Sequence, residues 1–215
     1  GNNNENQHQH GPTFPACDPT VLTQTVSFVH INDLHATYNT DGGESPVARL
    51  RGFYQQVRDE NPYTVFTNGG DDHEKGSVAE LLSDGWATLE VVHAMQFDVR
   101  VIGNHDFAWG PEELLAFSRD PHGHVLASNT TYTGSDPEGF GGVDWVELQV
   151  GCLRVGFFGM VSKPWNERNE QYDGDFFPDF ASRYDYVNVA RDLVTQRRAD
   201  VDLVVMVSHL GAGWD

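Results

Sequence analysis

The chain has 215 residues, with 32 Asp and Glu against 13 Lys and Arg, and a formal net charge of −19. Such an excess of acid argues against a nucleic-acid polymer or an anionic membrane surface as partner, because affinity for those comes from Lys and Arg neutralising phosphates. No segment approaches the roughly 18 consecutive apolar residues of a membrane span, and a hydrophobic content of 39% marks a folded chain with one sizeable core.

Residues 1–20 are rich in Asn, Gln, His, Gly and Pro without an apolar period, so they read as a flexible arm carrying His8 and His10; residues 21–215 form the folded part. The run from Thr25 to Ile31 reads as a strand ending in the turn-prone Asn32-Asp33. Ser45-Pro46 then forms a helix start, followed by Val47, Leu50, Tyr54 and Val57 at helical spacing. Thr64 to Thr67 is a short strand closed by Asn68-Gly69-Gly70, and Gly76 to Met95 is helical with an interruption at Asp84-Gly85. Val99 to Ile102 is a strand closed by Gly103, and Pro111-Glu112-Glu113 opens a helix with acids in its first turn, where the dipole favours them.

Strands follow from Val125 to Gly159, including a hairpin of Val143 to Val150 with Leu153 to Phe158 around Gly151-Cys152. Lys163 to Pro178 reads as a polar, aromatic loop. Tyr186, Val189, Ala190, Leu193 and Val194 mark a last helix, and Val201 to Val207 a last buried strand. The alternation implies an α/β layered domain with a parallel or mixed sheet. Cys17 and Cys152 allow one disulfide, and reduced core thiols fit equally well. Asn129-Thr130-Thr131 is a glycosylation sequon and the chain opens at Gly1 without Met, which together point to a secreted or extracellular protein.

In open α/β sheets, sites form beyond the carboxyl ends of strands. Four predicted strands end in Asn32-Asp33-Leu34-His35, Gly69-Gly70-Asp71-Asp72, Gly103-Asn104-His105-Asp106 and Ser208-His209-Leu210-Gly211. Turn chemistry explains any one of these clusters, but it gives no reason for Asp or His to recur after successive strands. Asp33 and His35 stand two apart and share a side of an extended segment, offering an O and an N ligand. An Asp from the second strand end has the oxygens to bridge two ions, and Asn104 and His209 add neutral donors. His73 and Lys75 read as solvated loop residues, and Trp109 as packing or a pocket wall.

These motifs resemble the calcineurin-like metallophosphoesterases, and within them the catalytic domain of the 5′-nucleotidase group. The resemblance rests on His30-Ile31-Asn32-Asp33-Leu34-His35, Gly70-Asp71-Asp72-His73-Glu74-Lys75-Gly76-Ser77, Gly103-Asn104-His105-Asp106-Phe107 and Ser208-His209-Leu210-Gly211, in the family's order. It implies a mixed β-sandwich flanked by helices, of which residues 21–215 are the N-terminal portion, incomplete at the C-terminus. It implies two divalent ions (Zn, Mn, Fe or Co), held by Asp33, His35, an Asp of the second motif, Asn104 and His209. A hydroxide bridging the ions would attack a small phosphate ester such as a nucleotide. Asn104 and His105 would contact the substrate, with His105 as general acid and Asp106 orienting it.

The sequence departs from the family in two places. Asp71 follows the glycine expected before the bridging acid, whereas Asp72 has the spacing to Gly76-Ser77; the strand-to-turn glycine favours Asp71. The family's Gly-His-x-His motif, several dozen residues past Ser-His-Leu-Gly, has no counterpart here, and His122-Gly123-His124 precedes a strand. A C-terminal remainder of the same protein is therefore the expected partner. A phosphodiesterase of the same superfamily and a non-catalytic binding module are the alternative readings.

Overall fold

The computed structural model describes residues 13–38, 43, 45–164 and 174–211. Its larger sheet is parallel, formed by β1 (Ser27–Ile31), β2 (Thr64–Asn68), β3 (Val99–Val101) and β4 (His124–Leu126) side by side in that order. A second sheet sets β7 (Leu153–Val161) between antiparallel β6 (Val146–Val150) and parallel β9 (Leu203–His209). A small antiparallel pair, β5 (Thr130–Tyr132) with β8 (Phe180–Ser182), stands apart.

The helices follow from local signals. In α1 (Pro46–Glu60), Ser45 Oγ accepts the Ala48 N–H at 3.2 Å and proline takes the first turn, as the sequence suggests. Left-handed Asp84 and Gly85 separate α2 (Val78–Leu82) from α3 (Trp86–Met95) at the predicted interruption. After α4 (Pro111–Ser118), α5 (Tyr186–Arg197) fills the last helical position.

Side chains alternate across β2, and that alternation builds the layers. Phe66 points to the helices, where Tyr54 of α1 stacks on it at 4.1 Å and Leu89, Val92 and Leu114 complete the core. Val65 points the other way, into a second apolar layer of Val99, Val101, Leu126, Leu148, Phe157 and Val207 between the two sheets. Val189 and Leu193 of α5 close the outer face of the second sheet over Phe158 and Met160. The result is helix, sheet, sheet, helix: the α/β layers that the alternation implied, arranged as the sandwich that the resemblance implied. Phe66 and Phe157 are fully buried, each stabilising the fold by about 1.5–3 kcal/mol relative to exposure.

Residues 13–20, read from the sequence as part of the arm, are fastened to the β6–β7 hairpin. Ala16 bridges Gly151, Cys17 and Cys152 form a disulfide, and nearby Gln24 bonds the hairpin through Val150 O and Cys152 N. His8, His10 and Trp165 lie outside the described residues. Of the aromatic loop, Phe176 and Phe177 pack on Phe107. The sequon residue Asn129 is buried, its amide donating to Val161 O and Arg183 O, so the folded chain does not present that nitrogen to solvent. Among the described residues no helix is long and apolar enough to cross a membrane.

Candidate metal centre

The parallel arrangement brings the carboxyl ends of β1, β2 and β3 to one edge, and β9 delivers His209 to the same place. The loops after β1 and β2 run together. Asp33 N donates to Gly70 O, His35 N to Asp71 O and Ala36 N to Asp72 O, at 2.8–3.0 Å, with Asp33, His35, Ala36 and Asp71 all left-handed. Glycine is required where the loops after β2 and β3 touch. A Cβ on Gly70 (φ +87°) would lie 2.5 Å from Gly103 N, and one on Gly103 would lie 2.2 Å from Asp71 N.

Asp71 forms the floor of the cleft. Its Oδ2 lies 3.1 Å from His209 Nε2, 3.8 Å from His35 Nε2 and 3.9 Å from His105 Nε2, while Oδ1 accepts the His105 N–H at 2.8 Å. Side-chain exposure rises from 5% at Asp71 through 13% at His209 and 31% at His35 to 45% at Asp33, so the cleft is closed below and open at the rim. Asp33 Oδ1 is 3.2 Å from His35 Nε2. Asn104 joins through Ser162, whose Oγ donates to Asn104 Oδ1 at 3.1 Å and whose N–H donates to His209 O at 2.8 Å.

These contacts fit a cation. His209 Nδ1 faces the Gly69 carbonyl at 2.7 Å and must be its protonated nitrogen, which leaves Nε2 a lone pair facing the Asp71 carboxylate. His35 repeats the pattern, with Nδ1 against Glu74 Oε2 at 2.8 Å and Nε2 against Asp33. An imidazole lone pair and a carboxylate oxygen at about 3 Å need a positive charge between them, either a second proton or a metal. Burial opposes the charged ring of His209, but Asp71 outweighs it and pushes its pKa up to about 9. At His35, too, burial opposes the charge, and Glu74, Asp33 and Asp71 overcome it and raise the pKa. Asp33, His35 and Asp71 place ligand atoms close enough to share one ion, and His35, Glu74 and His105 form a second such group.

Two acids expected in the cleft turn inward instead. Asp72 is fully buried, both oxygens bonded by the Asn68 amide at 2.8 and 3.0 Å; burial and then the neighbouring Asp106 charge push its pKa up to about 7. A left-handed Asp71 (φ 58°) makes the two neighbours diverge, so one faces the cleft and the other the interior.

Asp106 does not meet the His105 ring, which pairs through Nδ1 with Glu74 Oε2 at 3.0 Å. Asp106 sits beneath the site and accepts the backbone N–H of Asp71, Asp72, His73 and Gly103 at 2.7–3.1 Å. It also holds His73 Nδ1 at 3.0 Å. Burial disfavours its charge, but His73 and these N–H groups hold its carboxyl below the usual range.

His73, Glu74 and Glu113 are the residues that sequence reasoning undervalued. His73 is wholly buried, with Asp106 on one ring nitrogen and Glu113 Oε1 2.8 Å from the other. Burial opposes its charge, yet the two carboxylates push its pKa up to about 10. Glu113, explained above by the helix dipole, is buried against this ring. The available signal was the run Asp71-Asp72-His73-Glu74, too dense in ionisable groups for an ordinary turn. Of the other flagged residues, Lys75 lies over the Trp109 ring at 4.9 Å, and Trp109 Nε1 donates to buried Glu80 at 2.8 Å. His124 begins β4 and so lies at the end of the parallel sheet away from the cleft.

The model of the calcineurin-like phosphoesterase family matches residues 26–213, which contain every cleft residue named above. The chain belongs to that family. Its members are phosphoesterases that work with divalent metals, and the cleft of this member offers the matching donors. Among curated relatives, this chain is 30% identical to 5′-nucleotidase of Mus musculus over 71% of its own length and 28% of the mouse protein. It is 24% identical to apyrase of Tabanus yao over 96% of its own length and 38% of that protein. Its fold superposes on a 5′-nucleotidase precursor of Thermus thermophilus with a TM-score of 0.70 and 26% identity, covering 87% of this chain and 38% of the other. It thus spans under two fifths of each of these relatives.

Proposed function

We propose that this chain carries the metal-binding part of a 5′-nucleotidase-like phosphomonoesterase acting on small nucleotides. The observation that carries the reading is the convergence of His209, His35 and His105 Nε2 on one buried oxygen of Asp71, beyond the ends of four strands. Asp33, His35, Asp71, Asn104 and His209 hold two divalent ions, of the Zn, Mn, Fe or Co class that such mixed donors suit. Bound there, the ions supply charge neutralisation for the phosphoryl group and a competent nucleophile at neutral pH.

The chain's own residues do the rest. His105 stands at the rim with Nε2 directed over the cleft, where it gives a proton to the leaving ester oxygen. Asp71 fixes that residue's backbone through its N–H. Asn104, steadied by Ser162, offers its amide to the phosphate. The names of the relatives, 5′-nucleotidase and apyrase, support a nucleotide substrate. The small share of each relative that is covered supports a further C-terminal part that completes the site. The Cys17–Cys152 disulfide supports a secreted or extracellular location.

The test is metal analysis of the purified chain beside hydrolysis of a nucleoside 5′-monophosphate and bis(p-nitrophenyl) phosphate with added Mn²⁺ or Zn²⁺. Bound metal and preference for the monoester are expected. Preference for the diester moves the chain to the phosphodiesterase reading; metal-free, inactive protein whose natural form has no additional polypeptide by intact mass overturns the proposal and leaves a binding module.

A further inference from the structure

The general acid of such a site needs a partner that fixes its ring, and Asp106 is committed elsewhere, to four backbone N–H groups and His73. Glu74 occupies the vacant role and extends it. One oxygen, Oε2, lies 2.8 Å from Nδ1 of His35 and 3.0 Å from Nδ1 of His105, and the two rings stand edge to face with centroids 4.9 Å apart. An ionised carboxylate only accepts, so each imidazole must present Nδ1–H to it. Nε2 of each neutral ring is then the free nitrogen, facing Asp71 Oδ2 at 3.8 and 3.9 Å; on His105 that nitrogen takes up a second proton, with Nδ1–H kept on Glu74, before it acts as the general acid.

The carboxylate is itself held in place. The Glu74 N–H donates to both oxygens of fully buried Glu80, at 3.0 and 3.2 Å. Glu80 also accepts from Trp109 Nε1, four residues past His105, and its own N–H is capped by Ser77 Oγ at 3.1 Å. The loop after β2 and the turn after β3 are therefore tied to the same buried acid, which keeps Glu74 in register with both histidines.

We propose that Glu74 is a positioning residue that locks His35 and His105 together as Nδ1–H tautomers, aiming the Nε2 of one at a metal and the Nε2 of the other at the substrate. The consequence for catalysis rests on the phosphoesterase reading; the tautomer lock does not. A carboxylate behind a ligating histidine orients the ring and raises its basicity, and its loss costs about 10–100-fold in metal affinity or activity.

The experiment compares the wild-type chain with Glu74→Ala and Glu74→Gln. The Glu74 side chain is 39% exposed, so both variants are expected to melt with the wild type. In the metal-free protein at alkaline pH, ¹⁵N spectra of the imidazoles, with His35 and His105 assigned by single substitution, should show Nδ1–H for both rings. Glu74→Ala should mix the tautomers, and Glu74→Gln, whose amide oxygen still accepts, should retain most of the Nδ1–H form. Mn²⁺ or Zn²⁺ binding should weaken about 10–100-fold in Glu74→Ala and less in Glu74→Gln. Where hydrolysis is measured, kcat should fall with KM nearly constant, since no phosphate contact is removed. Unchanged tautomers in Glu74→Ala, or metal affinity within about twofold of wild type, would overturn the proposal. A wild type without phosphatase activity counts against the phosphoesterase reading alone, because the spectra still decide the lock.

Discussion

Two layers of ionisable residues lie one above the other in this protein, and they use the same residue types for opposite ends. In the upper layer Asp33, His35, Glu74 and His105 are partly exposed, and the Nε2 lone pair of His35 faces Asp33, as that of His209 faces Asp71, across contacts that a cation would complete. In the lower layer Asp106, His73 and Glu113, with Arg100 and Asp120 beside them, are buried, and each charge meets an opposite charge. Clustered donor atoms at the solvent edge mark a site for ligands. Opposite charges paired in the interior mark the scaffold that keeps the site in shape.

The largest effect is expected from attacking the lower layer at its hub. Asp106→Ala strands four backbone N–H groups and the His73 charge together, each stranded group costing about 1–3 kcal/mol, so the chain should lose on the order of 5 kcal/mol or fail to fold. Urea unfolding measures it; a loss below about 1 kcal/mol would show that the layer is not a scaffold.

Next comes the Arg100–Asp120 pair, at 2.9 Å with both side chains 1% exposed. Asp120→Asn should cost about 3 kcal/mol near neutral pH by leaving a buried guanidinium without its partner. Burial raises the Asp120 pKa, but Arg100 and the His122 N–H overcome this and hold it below its ordinary 3.8. A depressed folded pKa means stability that is full above the unfolded value and lost as the pH falls through the folded one. The gap between wild type and variant should therefore close as the pH drops below about 4. A gap that stays constant down to the acid transition would refute the assignment.

In the upper layer, Asp71→Asn should leave the fold standing and weaken metal binding by at least about 100-fold, or ~2.7 kcal/mol. Asp72→Asn should leave metal binding nearly unchanged, and metal content after dialysis ranks the two; the reverse order would return the cleft to Asp72. The smallest effect belongs to Lys75→Ala, which removes an exposed cation from the Trp109 ring and should shift stability by under about 1 kcal/mol.

The comparison also explains what could be read from the sequence. Strand ends were legible because hydrophobic runs and closing glycines locate them, and in a parallel sheet those ends share an edge whatever the packing. Orientation within a turn was not legible. Asp71 and Asp72 differ only by a left-handed φ, which sends adjacent carboxylates to different layers. His73 looked like a solvated loop residue because its two partners, Asp106 and Glu113, arrive from 33 and 40 positions away. The β5–β8 pair escaped notice because each strand has three residues, too few to show a period. The sequence left the pairing of Cys17 with Cys152 open, and only the docking of the N-terminal segment on the β6–β7 hairpin decides it.

That cross-link spans 135 positions and encloses β1 to β6, with Asp33, His35, Asp71, Asn104 and His105, while His209 lies beyond it. A protease that cuts one exposed loop between residues 17 and 152 would not divide the molecule. The nicked chain would migrate as one species without reductant and as two with it, and the cleft could outlive the continuity of its backbone.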